Sequence, residues 1–273
     1  MIKSIQPKAF GQTDVGMVRK NNEDSFFLEL DKGLMVVADG MGGHASGEIA
    51  SRMAVDAIGN YFTDPAAGSK TPLIGTFDED FTETTNRLGS AVRLANMAIY
   101  EAARSNTQWQ GMGTTMVCAL LHDRKLSIAH VGDSRLYLIR AGGIEQLTDD
   151  HSVVAEQVKQ ELISREEAEK SEIKNILTRA VGTKAEVEVD LNELDLLGGD
   201  ILVLCTDGLT NMVRDEEILS VVLAGQDPAA AGQRLIERAN AGGGQDNITA
   251  IVAYILEESW FSSLIHFIIG HRR

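Results

Sequence analysis

The stretch SFFLELDKGLMVVADG, residues 25–40, places two apolar runs on either side of Asp31-Lys32-Gly33. A run rich in Phe, Val and Leu that stops at a turn tripeptide and then restarts is the sequence signature of an antiparallel hairpin. The pattern recurs downstream, where TTMVCALL and KLSIAHV flank His122-Asp123-Arg124, and RLYLIR and IEQLT flank Ala141-Gly142-Gly143. Further strands are expected at 186–191 (EVEVDL), 201–205 (ILVLC) and 248–256 (ITAIVAYIL). Helical periodicity comes in blocks between these strands. Ile49, Met53, Ala57 and Tyr61 make one stripe, and Leu88, Val92, Ala95 and Ile99 make a second. Blocks of helix among hairpins predict an α+β fold with antiparallel sheets rather than a doubly wound parallel sheet.

Around this frame, residues 62–82 read as a loop and 150–178 as short polar surface helices, with a capping box from Ser164 to Glu167. No internal repeat or linker divides the chain, so its 273 residues are read as one domain. A composition 44% hydrophobic and 24% charged suits a globular protein with a sizeable core. The formal net charge of −15 excludes a general nucleic-acid binder, whose affinity needs clustered Lys and Arg. Cys118 and Cys205 both lie in apolar runs and read as buried thiols rather than a disulfide framework. The start MIKSIQPKAF has no secretory h-region, and no run reaches the length of a membrane span, so a cytoplasmic protein is expected.

Four aspartates stand where an apolar strand meets a turn: Asp39, Asp133, Asp207 and Asp246. Singly, each reads as turn chemistry. If the strand ends converge, packed anions repel one another, and a divalent cation relieves the repulsion. All-oxygen ligation suits Mg²⁺ or Mn²⁺, and no Cys and His spacing suggests structural zinc.

Eight motifs in order turn this pattern into a resemblance. They are Thr13-Asp14-Val15-Gly16 with Arg19 and Asn22-Glu23-Asp24; Asp39-Gly40-Met41-Gly42-Gly43-His44; Gly111-Met112-Gly113-Thr114-Thr115; Val131-Gly132-Asp133-Ser134-Arg135; Leu147-Thr148-Asp149-Asp150-His151-Ser152; Thr178-Arg179-Ala180-Val181-Gly182; Thr206-Asp207-Gly208; and Asp246-Asn247-Ile248-Thr249. From about residue 11 to 256 the chain resembles the bacterial type-2C metal-dependent Ser/Thr protein phosphatases. The resemblance implies a four-layer sandwich of two central antiparallel sheets flanked by helices, with residues 1–256 as catalytic domain and about 150–178 as a flap. It implies that Asp39 bridges two ions, that the Gly40 carbonyl binds one, and that Asp207 and Asp246 bind the other. Asp133, sharing Asp207, serves a third and weaker ion, and Glu23 and Asp24 lie beside the second through water. The implied activity is hydrolysis of phosphoserine and phosphothreonine in proteins by in-line attack of a metal-bridging hydroxide, opposing a cognate Ser/Thr kinase.

Two further residues have work in such a reaction. Arg19 can neutralise phosphoryl oxygens with a bidentate guanidinium, although alone it reads as a solvated turn residue. His44 can protonate the departing alkoxide, although a lone His after Gly-Gly reads as a surface loop residue. A different mechanism is suggested by Cys118 and Arg124, which have the Cys-x5-Arg spacing of cysteine phosphatases. Their intervening residues ALLHD carry no Gly to form a phosphate cradle, so Cys118 reads as inert core. A catalytically dead phosphoprotein-binding module is the rival from another class; the intact Asp set with Arg19 and His44 argues against it. The ending 257–273, with WFSSLIHFIIGHRR at 260–273, is an apolar extension beyond the last expected strand. Packing on the domain or contact with a partner or second copy is expected there, ahead of lying on a membrane surface.

Overall fold

The computed structural model describes residues 4–42, 46–64, 71–225 and 227–257. The strands are β1 Ile5–Asp14, β2 Asp24–Glu29, β3 Leu34–Met41, β4 Gly113–Thr114, β5 Met116–His122, β6 Lys125–Val131, β7 Arg135–Arg140, β8 Gly143–Gln146, β9 Asp190–Asp195, β10 Ile201–Cys205 and β11 Ile248–Glu257. The helices are α1 Ser46–Thr63, α2 Glu83–Ser105, α3 Val153–Lys159, α4 Arg165–Glu169, α5 Asp207–Thr210, α6 Asp215–Ala224 and α7 Pro228–Ala241. One antiparallel sheet runs β1-β11-β10-β7-β8; the other runs β2-β3-β5-β6-β9, with β4 paired to β3.

Period-two alternation assigns each strand face to a layer. Met35 and Val37 of β3, Val117 and Ala119 of β5, Leu136 of β7, Leu204 of β10 and Ile251 of β11 share the core between the sheets. Their neighbours point outward. Leu34, Val36 and Cys118 meet α1 and α2, whereas Tyr137, Val203, Cys205 and Val252 meet α6 and α7. The result is the expected four-layer sandwich, helix on sheet on sheet on helix. The two cysteines are free and lie in different outer layers.

The three hairpins form where the turn tripeptides place them. Gly33 closes the first in the left-handed region at φ 66°, and Ala141 and Gly142 turn the third at φ 52° and 80°. The stripe on α2 is fully buried, and both capping-box bonds of Ser164 and Glu167 are made. Two expectations shift. The strand expected at 186–191 is β9 at 190–195, because the ladder with β6 runs from His130↔Asp190 to Lys125↔Asp195. Val187 and Val189 pack into the α1–α2 layer instead. On α1 Tyr61 is buried as expected, but the fully buried line before it is Ala50, Ala54 and Ile58, each one residue beyond the expected Ile49, Met53 and Ala57. Small alanines let the helix lie close to β3, while Ile49, Met53 and Ala57 sit at the margin. The sequence reading also omitted β1, α6 and α7. The last of these starts at Pro228 with Asp227 capping the Ala230 N–H.

Candidate active site

The five acidic positions Asp24, Asp39, Asp133, Asp207 and Asp246 are delivered by strand ends. Asp24 opens β2 directly opposite Asp39 in β3. Asp133 lies in the turn between β6 and β7, Asp207 follows β10 and starts α5, and Asp246 stands two residues before β11. Short polar contacts lock these ends together. Asp39 donates its N–H to the Thr115 hydroxyl (3.0 Å), its carbonyl accepts from the Thr115 N–H (2.8 Å), and the Thr115 and Ser134 hydroxyls are 2.7 Å apart. Buried Asp24 accepts from the hydroxyls of Thr206 (2.9 Å) and Thr249 (2.7 Å). Gly208 lies so tightly on the Asp246-Asn247 segment that a Cβ there would stand 1.9 Å from the Asn247 carbonyl oxygen. Gly40 is equally constrained, since a Cβ would meet the carbonyl oxygens of Gly47 and Glu23 at 2.1 and 2.5 Å.

The electrostatics record this crowding. Loss of water raises Asp39 well above the usual carboxylate range, and Asp24, Asp207, Asp133 and Asp246 push it further in that order. Asp133 is pushed up to about 8 by burial, then by Asp207 and Asp150. Asp24 rises to about 7 through burial, against the pull of the Thr249 and Thr206 hydroxyls. Asp207 is raised by burial and by Asp246, with a hydrogen bond from Asp39 opposing. Burial also raises Glu23, with Arg19 opposing. Few cations reach the group, and only one pairs with it directly among the described residues. Arg19 pairs with Asp246 at 2.7 Å, Arg135 forks onto Asp150, and Lys174 bonds the Asn211 side chain, which donates to Asp207 Oδ2 at 3.0 Å.

Two oxygens inside this group, Asp24 Oδ1 and Asp207 Oδ1, are buried with no hydrogen-bond partner among the described residues. Native interiors rarely leave such acceptors unpaired, and a hard cation is the partner that an all-oxygen set accepts best. Among the described residues, no three Asp, Glu, His or Cys side chains are drawn together tightly enough to ligate one ion as they stand. The case for a divalent ion is therefore electrostatic: charge gathers here that the chain does not neutralise, and the donor set fits Mg²⁺ or Mn²⁺.

Of the residues singled out from sequence, Asp24, Asp39, Asp133, Asp207 and Asp246 interact electrostatically as one group, and Arg19 joins them through Asp246. Glu23 stands beside them, its carboxylate against Gly47 and its N–H donating to the Asn247 side chain at 2.8 Å. His44 lies outside the described residues. Cys118 is buried at the helix-facing side of β5, and burial pushes its thiol far up, the opposite of an activated nucleophile.

Sequence reasoning passed over three residues. Asn247 ties Glu23 N–H, Val15 O and Asn21 O into one knot, Thr115 holds Asp39, and His151 bonds Gly132. Each sat inside a quoted motif. The available signal was a polar residue adjoining a predicted ligand.

Residues 18–248 match the family described as protein phosphatase 2C. The chain is 38% identical over 244 residues to the serine/threonine phosphatase stp of Listeria innocua, covering 88% of this chain and 93% of that one. It superposes on the crystal structure of the Mycobacterium tuberculosis serine/threonine phosphatase PstP/Ppp with a TM-score of 0.82 at 36% identity, covering 93% of this chain and 100% of that one. A second structure, the catalytic domain of PstP in complex with two manganese ions, gives 0.80 at 35% identity over 93% and 100% of the chains. A family match over most of the chain, relatives above 30% identity and a shared two-sheet sandwich agree: the chain belongs to the protein phosphatase 2C family.

Proposed function

We propose that this protein is a metal-dependent phosphatase that hydrolyses phosphoserine and phosphothreonine in other proteins. The observation that carries the reading is the half-buried group of carboxylates around Asp39, which the described side chains offset with a single direct ion pair, Arg19 to Asp246. Its family membership, and the naming of relatives as Ser/Thr phosphatases, one with two bound manganese ions, support it. Asp39, the Gly40 carbonyl, Asp207 and Asp246 hold two Mn²⁺ or Mg²⁺ ions. Asp133 with Asp207 holds a third more weakly, and Glu23 and Asp24 act through water. Such ions, when bound, acidify and orient an attacking water and offset charge on the phosphoryl group.

The chain supplies the rest. Arg19, whose side chain is half exposed on the rim at Asp246, offers the guanidinium that binds phosphoryl oxygens. His44 gives a proton to the departing serine or threonine oxygen. Asn247 and Thr115 keep the carboxylate-bearing turns in place. Neither cysteine takes part, because both are buried and burial raises both thiols.

Residues 1–256 form the catalytic domain, with 150–178 as the flap over the site. The physiological setting is a bacterial cytoplasm, where a cognate Ser/Thr kinase and its substrates are the partners and signalling is the role. Among the described residues no helix is long and apolar enough to cross a membrane. The apolar ending, expected from sequence to pack on the domain or to meet a partner, lies outside the described residues from 258 to 273.

The test is phosphate release from a phosphothreonine peptide with Mn²⁺, with and without excess EDTA, beside a thiol-alkylated sample. Activity that needs metal and survives alkylation is expected. A folded protein with no turnover in any divalent metal would point instead to a phosphoprotein-binding module.

A further inference from the structure

His151 lies where the 147–152 segment enters α3, its side chain 3% exposed. It makes a pair of hydrogen bonds to a single residue. The His151 N–H donates to the Gly132 carbonyl at 2.8 Å, and the Gly132 N–H donates to His151 Nδ1 at 3.0 Å. A backbone N–H can only donate, so Nδ1 carries a lone pair and the ring proton is on Nε2. That proton points at Asp190 Oδ2, 3.0 Å away, and Asp190 is itself held by Arg179. The tautomer is thus set from both sides. His130 covers the ring with centroids 4.5 Å apart and also feels the Gly132 backbone, though no described group bonds its ring nitrogens at full hydrogen-bond geometry.

Gly132 precedes Asp133. It sits at φ 109°, a conformation that favours glycine, and a Cβ there would stand 2.6 Å from the Thr115 Cβ. Both polar groups of its backbone go to His151, and it has no side chain with which to hold itself. The direction in which Asp133 leaves this turn is therefore fixed by the imidazole on one side and Thr115 on the other.

We propose that His151 is a positioning residue whose unprotonated Nδ1 clamps the Gly132 peptide and so aims the Asp133 carboxylate into the metal site. The inference rests on the proposed metal-site reading and extends it to a residue that meets neither ion nor substrate. Groups that orient ligands from outside the coordination shell change metal affinity on the order of 10-fold when removed.

Two substitutions separate the arms of the ring. In His151→Asn the side-chain oxygen takes the place of Nδ1 and keeps the Gly132 clamp; in His151→Gln the amide takes the place of Nε2 and keeps only the tether to Asp190. Mn²⁺ binding is measured by titration calorimetry, with melting temperature as the check on folding. The weakest Mn²⁺ site is expected to lose affinity on the order of 10-fold in His151→Ala and His151→Gln and to stay close to the parent in His151→Asn. An His151→Ala isotherm like the parent's, or rescue by Gln and not by Asn, overturns the clamp. A ¹⁵N-histidine spectrum of the unaltered protein needs no variant to fold: a proton on Nδ1 of His151 overturns it, and a bare Nδ1 supports it. If the unaltered chain binds no Mn²⁺, the metal reading itself falls and takes the role assigned to Asp133 with it.

Discussion

Glu193 in β9 and Asp39 in β3 are both half-buried carboxylates, and the chain treats them in opposite ways. Glu193 Oε2 accepts from the Thr82 N–H (3.0 Å), the Thr82 hydroxyl (2.8 Å) and the Thr85 hydroxyl (2.7 Å), while Lys125 stands 3.2 Å from Oε1. Burial alone would raise it, but the Thr85, Thr82 and Lys125 donors outweigh that and hold it at about 2. It also lies at the N-terminus of α2, where a negative charge is welcome. Asp39 has the reverse surroundings: other carboxylates in place of donors, and a carboxyl driven well above its ordinary range. A fold that saturates one acid with four contacts has the means to satisfy another. The shortfall around Asp39 is therefore local and specific, the pattern expected where a mobile cation supplies the missing charge.

The widest separation of the two sites comes from neutralising each in turn. Asp39→Asn is expected to lower Mn²⁺-dependent turnover at least about 100-fold, the upper range for groups that only orient a ligand, while the metal-free protein melts no lower than its parent because repulsion is relieved. A clear drop in metal-free melting temperature would mean that Asp39 carries structural weight like Glu193. Glu193→Ala should do the opposite, leaving turnover per folded molecule unchanged. It strands the Thr82 and Thr85 donors and should cost about 1–3 kcal/mol of stability, read as a denaturation midpoint. His44→Ala sharpens the catalytic side: the loss should be large on phosphothreonine and small on an activated aryl phosphate, whose leaving group needs no proton. Equal losses on the two substrates would remove the acid role from His44.

Most of the sandwich was legible because its signals are local. Turn tripeptides mark the hairpins, and α2 shows a clean 3.6-residue stripe over Leu88, Val92, Ala95 and Ile99. What escaped depends on partners far along the chain. β1 is specified by its ten-residue ladder with β11 rather than by its own alternation, and β9 is placed by β6. The α1 face shifted because Ala50 and Ala54 win burial by fitting close to the sheet, which a count of large apolar residues does not weigh. At the site, the aspartates were legible as strand-end acids, but their convergence belongs to the topology. Asn247, Thr115 and His151 were invisible as actors because their roles are hydrogen bonds across 76 residues (Thr115 to Asp39), 19 (His151 to Gly132) and 224 (Asn247 to Glu23).

The gentlest probe reads both sites in one curve: the melting temperature of the metal-free protein against pH. Asp133 and Asp24 have folded values of about 8 and 7, far above the roughly 3.9 of an unfolded Asp. From pH 8 down to about 6.5 the folded chain therefore takes up protons that the unfolded chain does not, and stability rises as pH falls. Below about 6.5 His130 works against this. Burial lowers it to about 3, so the unfolded chain gains that proton first and the rise flattens. Glu193 enters last, its contribution intact above roughly 4.3 and lost as pH falls toward about 2. Saturating Mn²⁺ should reverse the slope between pH 6.5 and 8, because protons and cations compete for the same oxygens. A metal-free curve that instead climbs with pH across that window would show the Asp39 group to be as well satisfied as Glu193, and the electrostatic case for a metal site would fail with it.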